Sequence, residues 1–236
     1  MPLIRKQIPG CHEGEGRDYI GTAGFERYFV AADPASARDH FALAFLHVKQ
    51  EPELTWGPDG RQLLGPVFKR IVRIERLIQH SNYVDMARYV KSLLMHPALL
   101  GDVTLCVDAT GVGRALCDIL TAEHVAHTRI VMTSSDSYKR IAHDQFNVGK
   151  SYLLSTMAAQ IENSIVQIVA DGPGCSILLD EMQNFELTVN ERSQRESVNA
   201  AIGHHDDAII AAALAIFMAD MGSFQASFNN RITGWL

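Results

Sequence analysis

Residues 208–219 read Ala-Ile-Ile-Ala-Ala-Ala-Leu-Ala-Ile-Phe-Met-Ala, twelve positions with no charge and no strong polar group. A helix of that composition is apolar on every side, so it has to be covered all round rather than laid on a surface with one face in water. Gly203-His204-His205-Asp206-Asp207 leads straight into it. Aspartate is favoured at a helix start because it accepts backbone N–H bonds and complements the dipole. One cap accounts for one aspartate. The second is left over, and its role depends on which other acids the fold brings near.

The chain is long enough, at 236 residues and 47% hydrophobic content, for one large domain with a full core. Its net charge is −6, so no whole-molecule basic footprint argues for nucleic-acid binding, and any such contact has to be local. Cys11, Cys106, Cys117 and Cys175 form no CxxC pair and no zinc spacing, which predicts reduced, mostly buried thiols. No apolar run with interfacial flanks approaches a membrane span, and no signal peptide opens the chain, so a soluble intracellular protein is expected.

Taken in order, residues 1–27 are mixed and aperiodic and read as a lead-in or linker. Residues 28–32 form a buried strand that ends at Asp33, where Pro34 stops the ladder. Residues 41–48 are again strand-like, and the connection is short enough for a hairpin. Turn residues around Gly57 and Gly65 bracket a third strand at 67–76 with Lys69, Arg70, Arg73 and Arg76, either a solvated face or a phosphate-contacting one. Residues 82–95 fit an amphipathic helix capped by Asn82 or Ser81, with Val84, Ala87, Val90, Leu93 and Leu94 inward. A strand at 103–107 ends at Asp108, then come Ala109-Thr110-Gly111-Val112-Gly113, a helix from 114 to about 123 and a strand at 128–132. That order is a βαβ unit with Asp108 at the carboxyl end of its first strand. Helices near 150–163 and 175–185, a short strand near 165–169 and a strand pair near 187–189 and 197–198 complete a single α/β domain.

Asp33, Asp108 and the Asp206/Asp207 pair now share a description. Ligands in open α/β sheets gather outside the carboxyl ends of strands, which places the first two at one crevice. Carboxylates gathered there would raise one another's pKa unless hard divalent cations neutralised them. Two such ions about 3.5–4 Å apart can orient a water and stabilise the leaving oxygen in phosphodiester hydrolysis. For each acid alone, a turn or cap role remains open.

The stretches Phe29-Val30-Ala31-Ala32-Asp33, Asp108-Ala109-Thr110-Gly111-Val112-Gly113, Val148-Gly149-Lys150, Met182-Gln183-Asn184-Phe185 and Gly203-His204-His205-Asp206-Asp207-Ala208 resemble, in order and separation, the C-terminal nuclease domain of the large terminase subunit of tailed bacteriophages. The likeness runs from about residue 28 to about 219. It implies a ribonuclease H-like fold, a central mixed β-sheet flanked by helices, in a nuclease domain spanning 28–236. It also implies an endonuclease that cuts concatemeric viral DNA during genome packaging with two Mg²⁺ or Mn²⁺ ions per site. By position Asp33, Asp108 and Asp206 correspond to the catalytic, metal-binding acids, with Asp207 as an auxiliary metal ligand or a group behind the ligands. Read from the residues themselves, His205 or His204 is a candidate auxiliary group at the metals, and Lys150 is either a cation that holds a phosphate there or a helix-start lysine in solvent. The stripe Ile209, Ile210, Leu214 and Phe217 beside Asp206 is bulkier than that beside Asp207, which predicts Asp206 nearer the core. Lys139, Arg140, Lys150, Arg192 and Arg195 are candidate DNA contacts. The implied partners are double-stranded DNA, a packaging ATPase, the portal and the small terminase subunit, in the host cytoplasm at the procapsid portal.

Large terminases also carry an ATPase, and too few residues precede Tyr28 to hold one. The sole approach to a phosphate-binding loop, residues 144–151, has Asp144 in place of the first glycine and no obvious strand before its helix. An excised domain or a separately encoded nuclease subunit is therefore expected. Two rivals use the same residues. A junction resolvase or a non-cutting scaffold keeps the fold and changes the job. A dinucleotide-binding module would use Gly111 and Gly113, although Leu116 stands where the third glycine belongs.

Overall fold

The structure, a computed structural model, describes residues 6–8, 21–34, 40–77, 82–99, 103–190, 195–200 and 206–232. The elements in chain order are β1 (Lys6–Ile8), β2 (Gly24–Asp33), β3 (Phe41–Trp56), β4 (Gln62–Leu77), α1 (Tyr83–Leu94), β5 (Val103–Asp108), α2 (Gly113–Ala122) and β6 (Thr128–Thr133). They continue with β7 (Tyr138–Ala142), β8 (Gln145–Gly149), α3 (Lys150–Glu162), β9 (Val166–Ile168), α4 (Cys175–Gln183), β10 (Phe185–Asn190), β11 (Arg195–Ala200) and α5 (Asp207–Ile232). A mixed sheet runs β7-β8-β6-β5-β2-β3-β4-β9, with β1 added beside the start of β2, and β10 and β11 form a separate antiparallel pair.

The centre of the sheet follows from its composition. Strand β2 carries Phe29-Val30-Ala31-Ala32, all buried, and pairs antiparallel with β3 on one side and parallel with β5 on the other. The β5-α2-β6 segment is the expected βαβ unit, with β6 parallel to β5. Successive side chains of a strand point to opposite faces, and the core divides accordingly. Phe29, Ala31, Ala42, Ala44 and Cys106 join α3, α4 and α5 on one face, whereas Val30, Ala32, Leu43, Phe45, Leu105 and Val107 pack with α1 and α2 on the other. The alanines on the first face leave room for a helix to approach the strands closely. All twelve residues at 208–219 are buried there, and the Cys106 thiol lies 3.7 Å from the Leu214 carbonyl oxygen. The covered, all-round apolar helix is thus what the sequence required.

Several expectations are corrected. The lead-in contributes to the sheet: β1 pairs with residues 24–26, and β2 begins at Gly24. Val84 is exposed at 41%, and Met86 is buried in its place, beside Ala87 and Val90, which face inward as expected. The 144–151 segment does have a strand before its helix, because β8 runs directly into α3 with Gly149 as the N-cap residue. Between strand and helix there is no loop to cradle a phosphate, so the segment is still not a nucleotide-binding loop, now for a structural reason. Strands β7 and β8 went unforeseen, since β7 is exposed along its whole length and shows no alternation. Asn82 caps α1, its side chain accepting from the Asp85 amide. Cys106, Cys117 and Cys175 are buried free thiols, and Cys11 lies outside the described residues. Among the described residues no helix is long and apolar enough to cross a membrane.

Candidate functional site

Asp33 and Asp108 terminate adjacent parallel strands, one step beyond the paired residues Ala32 and Val107. Alternation gives them the same direction: Phe29 and Ala31 face α5, so Asp33 does, and Cys106 faces α5, so Asp108 does. Helix α5 packs against β2 and β5, and the charges of Asp206 and Asp207 at its start and of Lys150 at the start of α3 act on Asp33. The Lys150 ammonium donates to Asp206 Oδ2 at 2.8 Å.

Two close backbone approaches fix the surroundings. A Cβ on Gly113 would lie 1.8 Å from the Asp108 carbonyl oxygen, so only glycine lets α2 begin directly behind that strand end. A Cβ on Gly149 would lie 1.7 Å from the Ser135 carbonyl oxygen, and the Gly149 amide donates to the Ser137 carbonyl at 2.9 Å, which sets where Lys150 begins its helix. Thr110 locks the turn after Asp108. Its amide donates to Asp108 Oδ1 at 2.8 Å, and its hydroxyl accepts from the Met132 amide at 2.8 Å. These contacts give Gly113 a packing role that needs no bound dinucleotide.

The electrostatics match an acidic cluster. Asp33 is held well above the usual carboxylate range, first by burial of the site and then by the charges of Asp108, Asp207 and Asp206, while Lys150 pulls it down. Burial also raises Asp108, opposed by hydrogen bonds from Thr110 and by Lys150. Four carboxyls therefore share one field, with Lys150 as the cation that moderates it. Oxygen donors that repel one another suit a hard divalent ion in chemistry. Among the described residues no three acid, histidine or cysteine side chains are drawn together as a cage.

The expected order of the two helix-start aspartates is reversed. The Asp207 side chain is 11% exposed, whereas that of Asp206 is 29% exposed. Stripe bulk carries no information because residues 208–219 of α5 are buried on all sides. Asp207 Oδ2 lies 3.7 Å from Arg76 Nη2 and accepts from the His40 amide at 3.4 Å. The capping role expected of an aspartate is filled from elsewhere: Glu181 Oε2, on α4, accepts from the amides of Ala208 and Ile209 at 3.0 and 3.1 Å. Sequence reasoning missed Glu181, and no local pattern could have exposed it.

The remaining candidates divide. Lys139 and Arg140 lie on exposed β7. Arg140 donates to the carbonyls of Ala142 and His143, and its guanidinium lies over the Phe146 ring. His205 and Arg192 fall outside the described residues, as does His204, and for Arg195 only the backbone in β11 is described. The basic stretch of β4 is largely engaged within the protein: Lys69 bonds Asp220 and Gln160, Arg73 pairs with Glu75, Arg76 pairs with Glu181, and Arg70 lies over Phe68.

No protein-family model and no curated protein matches the chain. Among solved structures it is similar to the large terminase nuclease from thermophilic phage G20c, crystallised with bound magnesium, at a TM-score of 0.55 and 20% sequence identity over 88% of this chain and 89% of that one. At that identity the likeness establishes the fold. The chain has the mixed-sheet, ribonuclease H-like α/β architecture of that nuclease, as its resemblance implied.

Proposed function

We propose that the chain is a divalent-metal-dependent DNA endonuclease that cuts concatemeric phage DNA during genome packaging. One observation carries the reading: Asp33 and Asp108 end neighbouring parallel strands on the same face, and the start of α5 brings Asp206 and Asp207 to them. The solved structure to which the chain is similar in fold is a terminase nuclease with bound magnesium, which agrees with this chemistry.

Asp33, Asp108, Asp206 and Asp207 would hold Mg²⁺ or Mn²⁺. Bound there, two ions would supply Lewis acidity toward a phosphodiester and a water more acidic than bulk. The chain's own contribution is position and charge. Strand ends fix Asp33 and Asp108, Thr110 orients the Asp108 carboxylate, and Lys150 offers a cation to a phosphate that approaches the cluster. Lys139 and Arg140, with Arg192 and Arg195, would meet the DNA backbone beside the sheet, contacts that position without reading sequence. A packaging ATPase, the portal and the small terminase subunit are the proposed partners, in the host cytoplasm.

The test is plasmid cleavage. The protein is expected to nick and linearise plasmid DNA with Mn²⁺ or Mg²⁺ and not with EDTA. Asp33→Ala, Asp108→Ala and Asp206→Ala are each expected to abolish cleavage while remaining folded by circular dichroism. Undiminished cleavage in any two of them overturns the site. A marked preference for branched over linear DNA would point to a junction resolvase on the same fold.

A further inference from the structure

The N-terminus of α5 is held by residues from other elements. Glu181, 7% exposed on α4, uses one carboxyl oxygen for two α5 amides, Ala208 at 3.0 Å and Ile209 at 3.1 Å. Its other oxygen accepts from Arg76 Nη2 of β4 at 2.7 Å. The same Arg76 nitrogen lies 3.7 Å from Asp207 Oδ2. One guanidinium thus stands between the group that fixes the helix backbone and the aspartate that the helix presents.

The first amides of a helix need an acceptor, and a residue next to them in sequence ordinarily supplies it. Such a local cap ends a helix without saying where its end lies. Glu181 does both, because its acceptor oxygen belongs to a second helix that Arg76 ties to the sheet. A buried ion pair is a weak source of stability, since desolvation offsets its attraction. Its value lies in direction: a planar guanidinium and a carboxylate fix distance and angle together.

We propose that Arg76 and Glu181 are positioning residues for the metal-binding end of α5, setting where Asp206 and Asp207 stand relative to Asp33 and Asp108. The proposal rests on the metal-site reading above. Neither residue touches a reacting group; each acts through the helix start.

The experiment measures Mn²⁺ affinity by calorimetry and amide hydrogen exchange at Ala208 and Ile209, in the unaltered protein and in Glu181→Ala, Glu181→Gln and Arg76→Ala. Partners of metal-ligating groups typically cost 10–100-fold in metal affinity when removed. Glu181→Ala is expected to weaken Mn²⁺ binding by about that factor and to lose protection at the two amides, with β2 and β5 still protected. Glu181→Gln keeps an acceptor for the amides and should recover most of their protection but only part of the affinity. Arg76→Ala should lower affinity with the amides still protected, separating orientation of Asp207 from anchoring of the backbone. A loss of stability alone would leave the affinity of the folded protein unchanged. Unaltered Mn²⁺ affinity in both folded Glu181→Gln and Arg76→Ala overturns the positioning role and leaves the metal site standing. Absence of Mn²⁺ binding by the unaltered protein overturns the metal-site reading and this proposal with it.

Discussion

Asp33 is the residue on which the electrostatics of the site converge, and its raised pKa has a definite sign for stability. A carboxyl whose folded pKa lies above its unfolded value binds more protons in the folded state, so its contribution is greatest at low pH and is lost as pH rises through the folded pKa. Asp33 and Asp108 start from an ordinary 3.8, and Glu181 rises from 4.5 to about 7, mainly through burial. In EDTA, these groups should make the urea midpoint fall as pH rises from the ordinary carboxylate range toward 7. Asp33→Asn, which has no proton to lose, should flatten that slope, and saturating Mn²⁺ should reverse it because metal binding needs ionised ligands. A slope unchanged by Asp33→Asn would remove Asp33 from the coupled cluster. Gly113 makes a steric counterpart. With 1.8 Å between an added Cβ and the Asp108 carbonyl oxygen, Gly113→Ala should cost about 2–4 kcal/mol in a denaturant titration, toward the large end for single substitutions, and should reduce cleavage as α2 is pushed off the strand end. Asp33 and Asp108 were legible in the sequence because each closes an apolar strand. Glu181 was not, because its partners are amides of a helix distant in sequence, and a contact of that kind leaves no local pattern.

At the scale of elements, α5 is the part the sequence specified most firmly, since an uncharged twelve-residue helix has a single physical solution. Its sheet-facing residues should carry correspondingly large energies. Leu214 is fully buried, and Leu214→Ala should cost about 2–5 kcal/mol by urea denaturation through lost burial and the cavity left behind. The β2–β3 hairpin and the βαβ unit were equally readable, because apolar runs of strand length alternate there with turn residues and one helical period. The pattern fails where every residue of a strand is largely exposed. Tyr138 to Ala142 are exposed without exception, and their pairing with β8 is a matter of backbone hydrogen bonds that composition does not encode. The Asp206–Asp207 order was misjudged for the opposite reason: a helix buried on every side has no inward stripe to read.

For the whole molecule, the net charge of −6 leaves the proposed DNA binding to local cations, so its salt dependence becomes diagnostic. Each phosphate contact contributes about 0.9 to the slope of log affinity against log salt. The double variant Lys139→Ala/Arg140→Ala, measured by fluorescence anisotropy on an Asp33→Asn background that cannot cleave, should lower the slope by about 1–2 and weaken all duplex sequences alike. An unchanged slope would move the DNA path away from β7. The sheet order carries a consequence of another kind. Asp33 sits in the first long strand to be synthesised, Asp108 in the middle of the chain, and Asp206 and Asp207 at the head of the last helix. Until that helix emerges and inserts against β2 and β3, the middle of one face of the sheet lacks the helix that covers it, and Asp33 and Asp108 lack Asp206 and Asp207. On the proposed reading, a nascent chain that bears Asp33 and Asp108 but not yet the start of α5 has no assembled metal site, so metal binding should appear only after that helix has been made.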